Sequence, residues 1–431
     1  MKISDIEYRT LKEVNEMPRF DLKSMPKRAK WYLQIVAWLL SIPETFIRRV
    51  KIVKVNMDKV KGPYILLCNH NSFFDFKVAT RAFFPRRANY IVAVDDFINR
   101  EKLMRNVGCL GKRKFTSDPA IVRQLKHTLE VNKSIAVIYP EARYSLIGTT
   151  AILPESLGKL IKMFKYPVVS LISHGHHLHE PVWNLIKRKV PVKSVMTYLF
   201  TKEDLEALTI DQINSKIKEA FYYNDYEYQV NNNIKVKGDN RAKNLHKVLY
   251  KCPHCLTDYS MNSENNKLFC EKCHHEYHVD EYNRLNELSG QTIFNFIPDW
   301  FEWQREEVKK EIENNNYGST IEVNIDSLPN STGYYRLGIG KLTHDERGFL
   351  LEAEFQGEKF EVYKPVLTNY GVHIEYDYFG KGDCISFSTN DDTYYLFPLN
   401  QKLSVIKYHF AVEELYKLAN KKNLLRASRF F

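Results

Sequence analysis

Two groups of residues in the 431-residue chain have types and spacings suited to chemistry. In the first, Asn69-His70 is followed by Asn-Ser-Phe-Phe and then Asp75. An imidazole is the side chain best able to take a proton from a hydroxyl near neutral pH. A carboxylate five residues on, in the first turn of a following helix, reaches the far ring nitrogen and fixes its tautomer. That is the His–Asp half of a triad without a nucleophile of its own, so the attacking hydroxyl is expected to belong to the substrate. The spacing alone says little, since roughly 0.7 His-x4-Asp matches arise by chance among 14 histidines. His275 and Asp280 are such a decoy.

The second group is Cys252-x2-Cys255 and Cys270-x2-Cys273, with 14 residues between the pairs. Each close pair presents two thiolates from one turn, and two turns fill a tetrahedron around Zn2+ while the spacer loops out as a hairpin. Four thiolates leave no position for water, so the expected role is structural, and His254, His274, His275 and His278 are not needed as ligands. Disulfides are not expected, because MKISDIEYRTLKEVNEM is charged and lacks the apolar core of a secretory signal. Cys68, Cys109 and Cys384 read as core singles. His174-Gly-His176-His177-Leu-His179-Glu180 offers metal-binding residue types, but nothing else completes a catalytic site around it, and it reads as a polar loop at a strand end.

These residues need elements to hold them. YILLCNH (64–70), NYIVAVDDF (89–97), SIAVIYPEA (134–142), PVVSLISHG (167–175) and PVKSVMTYLF (191–200) read as buried strands alternating with helices. Ser117-Asp118-Pro119 starts a helix, 154–165 is another, and Thr201-Lys-Glu-Asp204 opens a long one with a capping box. The alternation predicts an α/β domain over 56–230, a mostly parallel sheet flanked by helices with His70 at a strand's carboxyl end. A linker (231–249) leads to a zinc ribbon (250–285). A helix, several alternating strands and a closing helix follow over 286–431, the pattern of a small barrel of the pleckstrin-homology type.

Charge points to a surface. The chain carries a net +11 and 44% hydrophobic residues. From Lys23 to Lys54 eight basic residues face one acid, Glu44, around the most apolar stretch, WYLQIVAWLLSI (31–42), which Pro43 is expected to stop. Twelve residues are too few to span a bilayer. Residues 1–55 are therefore expected to lie in the interface of an anionic membrane, with rings at headgroup level and cations drawn to lipid. A cytoplasmic protein, peripheral on the inner face, is the expectation.

At this point the chain resembles the lysophospholipid acyltransferase superfamily, the glycerol-phosphate and 1-acylglycerol-phosphate acyltransferases. Asn69, His70 and Asp75 match its first block in full. Gly108-Cys-Leu-Gly-Lys112-Arg113-Lys114 matches the second loosely, the family's Arg falling on Lys114. Tyr139-Pro140-Glu141-Ala142-Arg143-Tyr144-Ser145 matches the third with Arg one position early, and Tyr166-Pro167-Val168-Val169 the fourth. The resemblance covers about residues 60–185 and implies an α/β acyltransferase domain. It implies His70 as general base, oriented by Asp75, on a lysophospholipid hydroxyl such as that of 1-acylglycerol 3-phosphate. The acyl donor would be acyl-CoA or acyl carrier protein, and Asn69, Lys112, Arg113, Lys114, Glu141 and Arg143 would form the substrate-binding set. The alternative is a zinc-ribbon adaptor, binding nucleic acid or lipid, with an inactive acyltransferase-like domain. Nucleic acid is the less expected partner, because the excess charge sits beside the apolar helix and not around the ribbon. A hydrolase or transacylase using the same pair is a third class, since water can replace the acceptor.

Overall fold

The computed structural model describes residues 6–288 and 290–427. The first five residues of the expected 1–55 segment, and Ser289 and the last four of the 286–431 unit, lie outside the described residues.

Seven strands form the sheet that carries His70: β1 (Lys51–Val55), β2 (Ile65–Cys68), β3 (Ala88–Ala93), β4 (Cys109–Lys112), β5 (Ile135–Ile138), β6 (Val168–His174) and β7 (Lys193–Phe200). Their order is β1-β7-β6-β2-β5-β3-β4. Every neighbouring pair is parallel except β6–β7. The uninterrupted apolar runs ILLC and IAVI place β2 and β5 in the middle, every residue buried, because a strand covered on both faces cannot afford alternation.

The flanking helices used below are α1 (Trp31–Ile47), α2 (Asp75–Ala82), α3 (Pro119–Glu130), α4 (Ser156–Phe164) and α5 (Ile210–Ala220). Asp118 caps α3 by accepting from Ala120 N–H at 2.8 Å, with Pro119 in the first turn. The long helix expected from Thr201 is cut short. Its capping box with Asp204 opens a helix of six residues, and a second box, Thr209 with Gln212, starts α5 separately.

The cysteine unit is an antiparallel meander of β8 (Met261–Glu264), β9 (Lys267–Cys270), β10 (Glu276–Val279) and β11 (Leu285–Glu287). Helix α6 (Ile297–Glu313) leads into β12 (Ser319–Ser327), β13 (Tyr335–Asp345), β14 (Gly348–Phe355), β15 (Glu358–Pro365), β16 (His373–Glu375), β17 (Cys384–Ser388) and β18 (Thr393–Pro398), and α7 (Ile406–Ala427) closes the chain. The expected small barrel is instead an open sheet, ordered β15-β14-β13-β12-β18-β17-β16. Its ends, β15 and β16, form no ladder with each other among the described residues. Helix α7 packs on the 366–368 turn and on β16, so a helix stands where a barrel seam would have closed.

The expectation of a single interfacial segment over 1–55 is corrected. Residues 7–30 are a strap that joins the two sheets. Glu7–Tyr8 pair parallel with Tyr335–Arg336 on β13. Phe20 N–H donates to Pro329 O at 2.9 Å, and its buried ring lies so close over β4 that a Cβ at Gly111 would meet it at 2.3 Å. Asn89 Nδ2 donates to Lys27 O at 2.8 Å. Helix α1 alone has an apolar outer face. Its buried residues are the polar Gln34, Ser41 and Thr45, while Leu39 and Leu40 are each 67% exposed and Ile47 78%. The inversion is held from below by the Glu44–Lys77 ion pair and by Arg81, which donates to Thr45 Oγ1 at 3.2 Å. Pro43 does not stop the helix; it sits inside α1, where the lost N–H costs one hydrogen bond on the exposed side. No helix among the described residues is long and apolar enough to cross a membrane.

The hydrophobic cores run across the expected boundaries. Leu146 and Trp183 share one cluster with Leu268 and Tyr277 of the ribbon and Phe349 and Phe410 of the C-terminal unit.

Candidate active site and metal centre

His70 sits in the turn after β2, and Asp75 is the first residue of α2. His70 Nδ1 lies 3.1 Å from Asp75 Oδ2. The same oxygen accepts the N–H groups of Asn71 (2.6 Å) and Ser72 (2.9 Å), so the helix start and the pair are built together. The other oxygen, Oδ1, takes a hydrogen bond from Nδ1 of His176, which is buried at the start of the four-residue helix His176–His179 after β6. Burial works against the charge of Asp75, but His176 and His70 outweigh it and hold the carboxyl well below the usual carboxylate range. The acceptor is therefore a permanent anion with two imidazoles. His176 was missed as a partner because 101 residues separate it from Asp75; its place in a histidine-rich strand end was the one available signal.

The His70 ring lies between Tyr139 (4.3 Å between centroids) and Tyr144 (4.4 Å). Its Nε2 has no protein hydrogen bond among the described residues, and the side chain is 23% exposed, toward a cavity of about 1440 Å³. One part of the wall is apolar, with Phe73, Ile91, Ile121, Leu157 and Met163. The other is polar and is shared with the C-terminal unit through Tyr370, His373, Glu375, Tyr378 and Glu413.

The six residues expected to bind substrate separate. Lys112, Lys114 and Arg143 line the cavity. Lys112 Nζ donates to Thr116 O at 2.9 Å, and burial lowers its pKa. Lys114 Nζ lies 2.8 Å from His373 Nε2 and 3.7 Å from Asp95 Oδ2. Arg143 donates to Glu413 Oε1 at 2.9 Å and to His409 Nδ1 at 3.2 Å. The other three do not line the cavity. Arg113 is fully buried and spends its planar fork on the C-terminal sheet, donating at 2.9 Å to Leu328 O, Pro329 O, Asp391 O and Thr393 Oγ1. Asn69 ties β2 to β6, donating to Ser173 O (2.9 Å) and accepting Ser173 N–H (2.8 Å). Glu141 is buried behind the site, and burial pushes its carboxyl up to about 8 despite Arg143 and the backbone amides of His70 and Ala151 beside it. Arg113 has only its Nε without a partner, Asn69 is tied to β6, and neither they nor Glu141 reach the cavity wall. The structure therefore brings three of the six expected residues to the site and leaves three outside it.

In the second centre the four cysteines converge. Sγ of Cys252 lies 3.5 Å from Cys273, Cys255 lies 3.7 Å from Cys270, and all four fall within 4.8 Å of one another. Thiolates about 2.3 Å from a tetrahedral ion stand ~3.8 Å apart, so the set fits one metal ion. His275 Nδ1 lies 3.4 Å from Cys273 Sγ, the position of a ring that supports a thiolate ligand.

Residues 47–174 match the family described as Acyltransferase. That part of the chain belongs to this family and is an acyltransferase domain, in agreement with the resemblance to the lysophospholipid acyltransferases. Among solved structures, the 1-acyl-sn-glycerophosphate (LPA) acyltransferase PlsC from Thermotoga maritima is similar at 14% identity, over 44% of this chain and 77% of its own, with a TM-score of 0.35. No curated protein matches the chain.

Proposed function

We propose that the protein is a peripheral-membrane O-acyltransferase that moves an acyl chain from a thioester, acyl-CoA or acyl carrier protein, to a lysophospholipid hydroxyl. The observation that carries this reading is His70, with Nδ1 on a carboxylate kept ionised by four donors and Nε2 open to a large, partly apolar cavity. His70 Nε2 takes the proton of the acceptor hydroxyl as its oxygen attacks the thioester carbonyl; the C–S bond breaks, and the imidazolium returns that proton to the leaving thiolate, which departs as the thiol. No acyl-enzyme is needed, because the substrate supplies the nucleophile. Asp75 fixes the tautomer and steadies the imidazolium. The apolar wall suits an acyl chain, and Lys112, Lys114 and Arg143 stand at the polar end.

The inverted face of α1 supports a place in the membrane interface. Apolar side chains point outward and polar ones inward, the reverse of a helix covering a protein core. Zn2+ is the metal that four thiolates in a tetrahedron favour, with a structural role because four protein ligands close the site. It would be held by Cys252, Cys255, Cys270 and Cys273 and would lock the meander.

The test is product identification by mass spectrometry after incubation with acyl-CoA or acyl carrier protein thioesters and a panel of lysophospholipids. Acylated phospholipid formed only when both substrates are present is the expected result. Free fatty acid formed without an acceptor would make the protein a hydrolase, and no consumption of thioester by folded protein would leave the adaptor reading.

A further inference from the structure

The basic groups at the polar end of the cavity are largely answered by the chain's own carboxylates. Arg143 is bonded to Glu413 on α7, both side chains more than nine-tenths buried. Glu413 is fixed in turn by Arg305 on α6, with 2.6 Å between Arg305 Nη1 and Oε2. Lys114 stands between Asp95 and His373, and His373 Nε2 lies 2.7 Å from Glu375 Oε1. Asp95, Asp96 and Glu375 all lie near Tyr144, whose ring packs on His70. On the same wall His373 Nδ1 is buried without a hydrogen-bond partner. Lys112 differs: its ammonium bonds a backbone carbonyl, and the carboxylate that acts on it, Asp118 on the same cavity wall, lies beyond ion-pair distance.

This arrangement suits one kind of head group. A phosphate monoester carries close to two negative charges at neutral pH and needs an uncompensated guanidinium or paired cations. Here the charge of Arg143 is answered by Glu413, with only its Nε left without a partner, and further negative charge would face Glu413, Asp95 and Glu375. A phosphodiester joined to an amine brings one negative charge, which Lys112 answers, and one positive charge, which the Asp95–Asp96–Glu375 side answers. The three carboxylates of that side stand against the two cations Lys114 and Arg100. We propose that Glu413, by holding Arg143, and Glu375 with Asp95, by facing His70 across Tyr144, select a lysophospholipid with a zwitterionic phosphodiester head over one ending in a phosphate monoester. The inference rests on the acyltransferase reading above and names its acceptor class. Like charges set against the wrong ligand discriminate as effectively as contacts to the right one.

The experiment compares kcat/KM for lysophosphatidylcholine, lysophosphatidylethanolamine and lysophosphatidate, with one thioester donor, for the full-length wild type, Glu413→Gln and Glu375→Gln. The wild type is expected to favour the zwitterionic acceptors by about tenfold or more. Glu413→Gln frees Arg143 and moves the ratio toward lysophosphatidate by about tenfold; Glu375→Gln moves it the same way by weakening the zwitterions. A wild type that prefers the monoester, or a ratio unmoved in both variants, overturns the proposal. If Glu413→Gln gives no cooperative melt, Glu375→Gln carries the test alone. No transfer to any acceptor by folded wild type refutes the acyltransferase reading itself, a result distinct from transfer with the wrong preference.

Discussion

Asp75 accepts hydrogen bonds from His70, His176 and the amides of Asn71 and Ser72, and so sets the orientation of the base more firmly than a lone His–Asp pair would. His176 touches Asp75 and not the reacting atoms, so it acts as a positioning residue. His176→Asn is predicted to lower kcat by about ten- to hundredfold, the usual cost of losing such a supporting bond, with KM nearly unchanged; steady-state kinetics with both substrates varied will separate the two. Glu141 gives a prediction with a sign. Its ordinary value is 4.5 and burial raises it to about 8 in the folded protein. Between those values the folded state holds a proton that the unfolded chain has lost, so this group makes stability fall as pH rises from 4.5 to 8. Glu141→Gln cannot ionise, so its melting temperature relative to wild type is expected to climb from pH 5 to pH 8. An offset that stays flat over that interval would contradict the assignment of Glu141 as a buried neutral acid.

Helix α1 is the element whose sequence and packing disagree most with a globular protein. Its apolar residues are outside because its polar ones, Gln34, Ser41 and Thr45, are inside. Leu39→Glu with Leu40→Glu therefore removes nothing from the protein core. Each leucine buried in lipid contributes about 1.5–3 kcal/mol, so the pair is predicted to weaken binding to anionic vesicles by at least about a hundredfold while the melting temperature stays within a degree or two of wild type. Flotation with vesicles and calorimetry measure the two halves. The stretch after β4 makes the opposite case: Arg113 lies in a segment that resembles a ligand-binding block, yet its contacts are all to the C-terminal sheet. Arg113→Ala removes four hydrogen bonds to the C-terminal unit, Leu328 O being left without another partner among the described residues, and is predicted to destabilise by about 3 kcal/mol or more, read as a lower denaturant midpoint.

Across the whole molecule the sheet that holds His70 shares one core and the cavity with the C-terminal unit, and that unit shares another core with the cysteine meander. Leu268 and Tyr277 of the meander pack in the same cluster as Leu146 of the acyltransferase half. Stripping the Zn2+ proposed for the four cysteines with a chelator is therefore expected to lower the melting temperature of the entire chain in one transition; a separate low-temperature transition for the meander alone would show that it folds independently. The same coupling explains what the sequence could and could not reveal. The strands ILLC and IAVI, the Asp118 cap and the His70–Asp75 pair are local, set by runs and spacings within a few residues, and they are where the pattern placed them. The four cysteines converge as their spacing required. Contacts across 100 residues or more were invisible: His176 on Asp75, Glu413 on Arg143 and Leu328 O on Arg113. Those long-range contacts decide which of the expected binding residues face a substrate. They also turned the expected barrel into an open sheet completed by a helix, since strand closure depends on where α7 packs and not on strand alternation.

The measurement that bears most directly on the central claim is the rate of acceptor-dependent thiol release by wild type and His70→Ala, with zinc content and melting temperature matched. A general base at Nε2 contributes about 10²–10⁴-fold, so the variant is predicted to lose at least a hundredfold in kcat while remaining folded. Release that continues at the wild-type rate in folded His70→Ala would contradict the account.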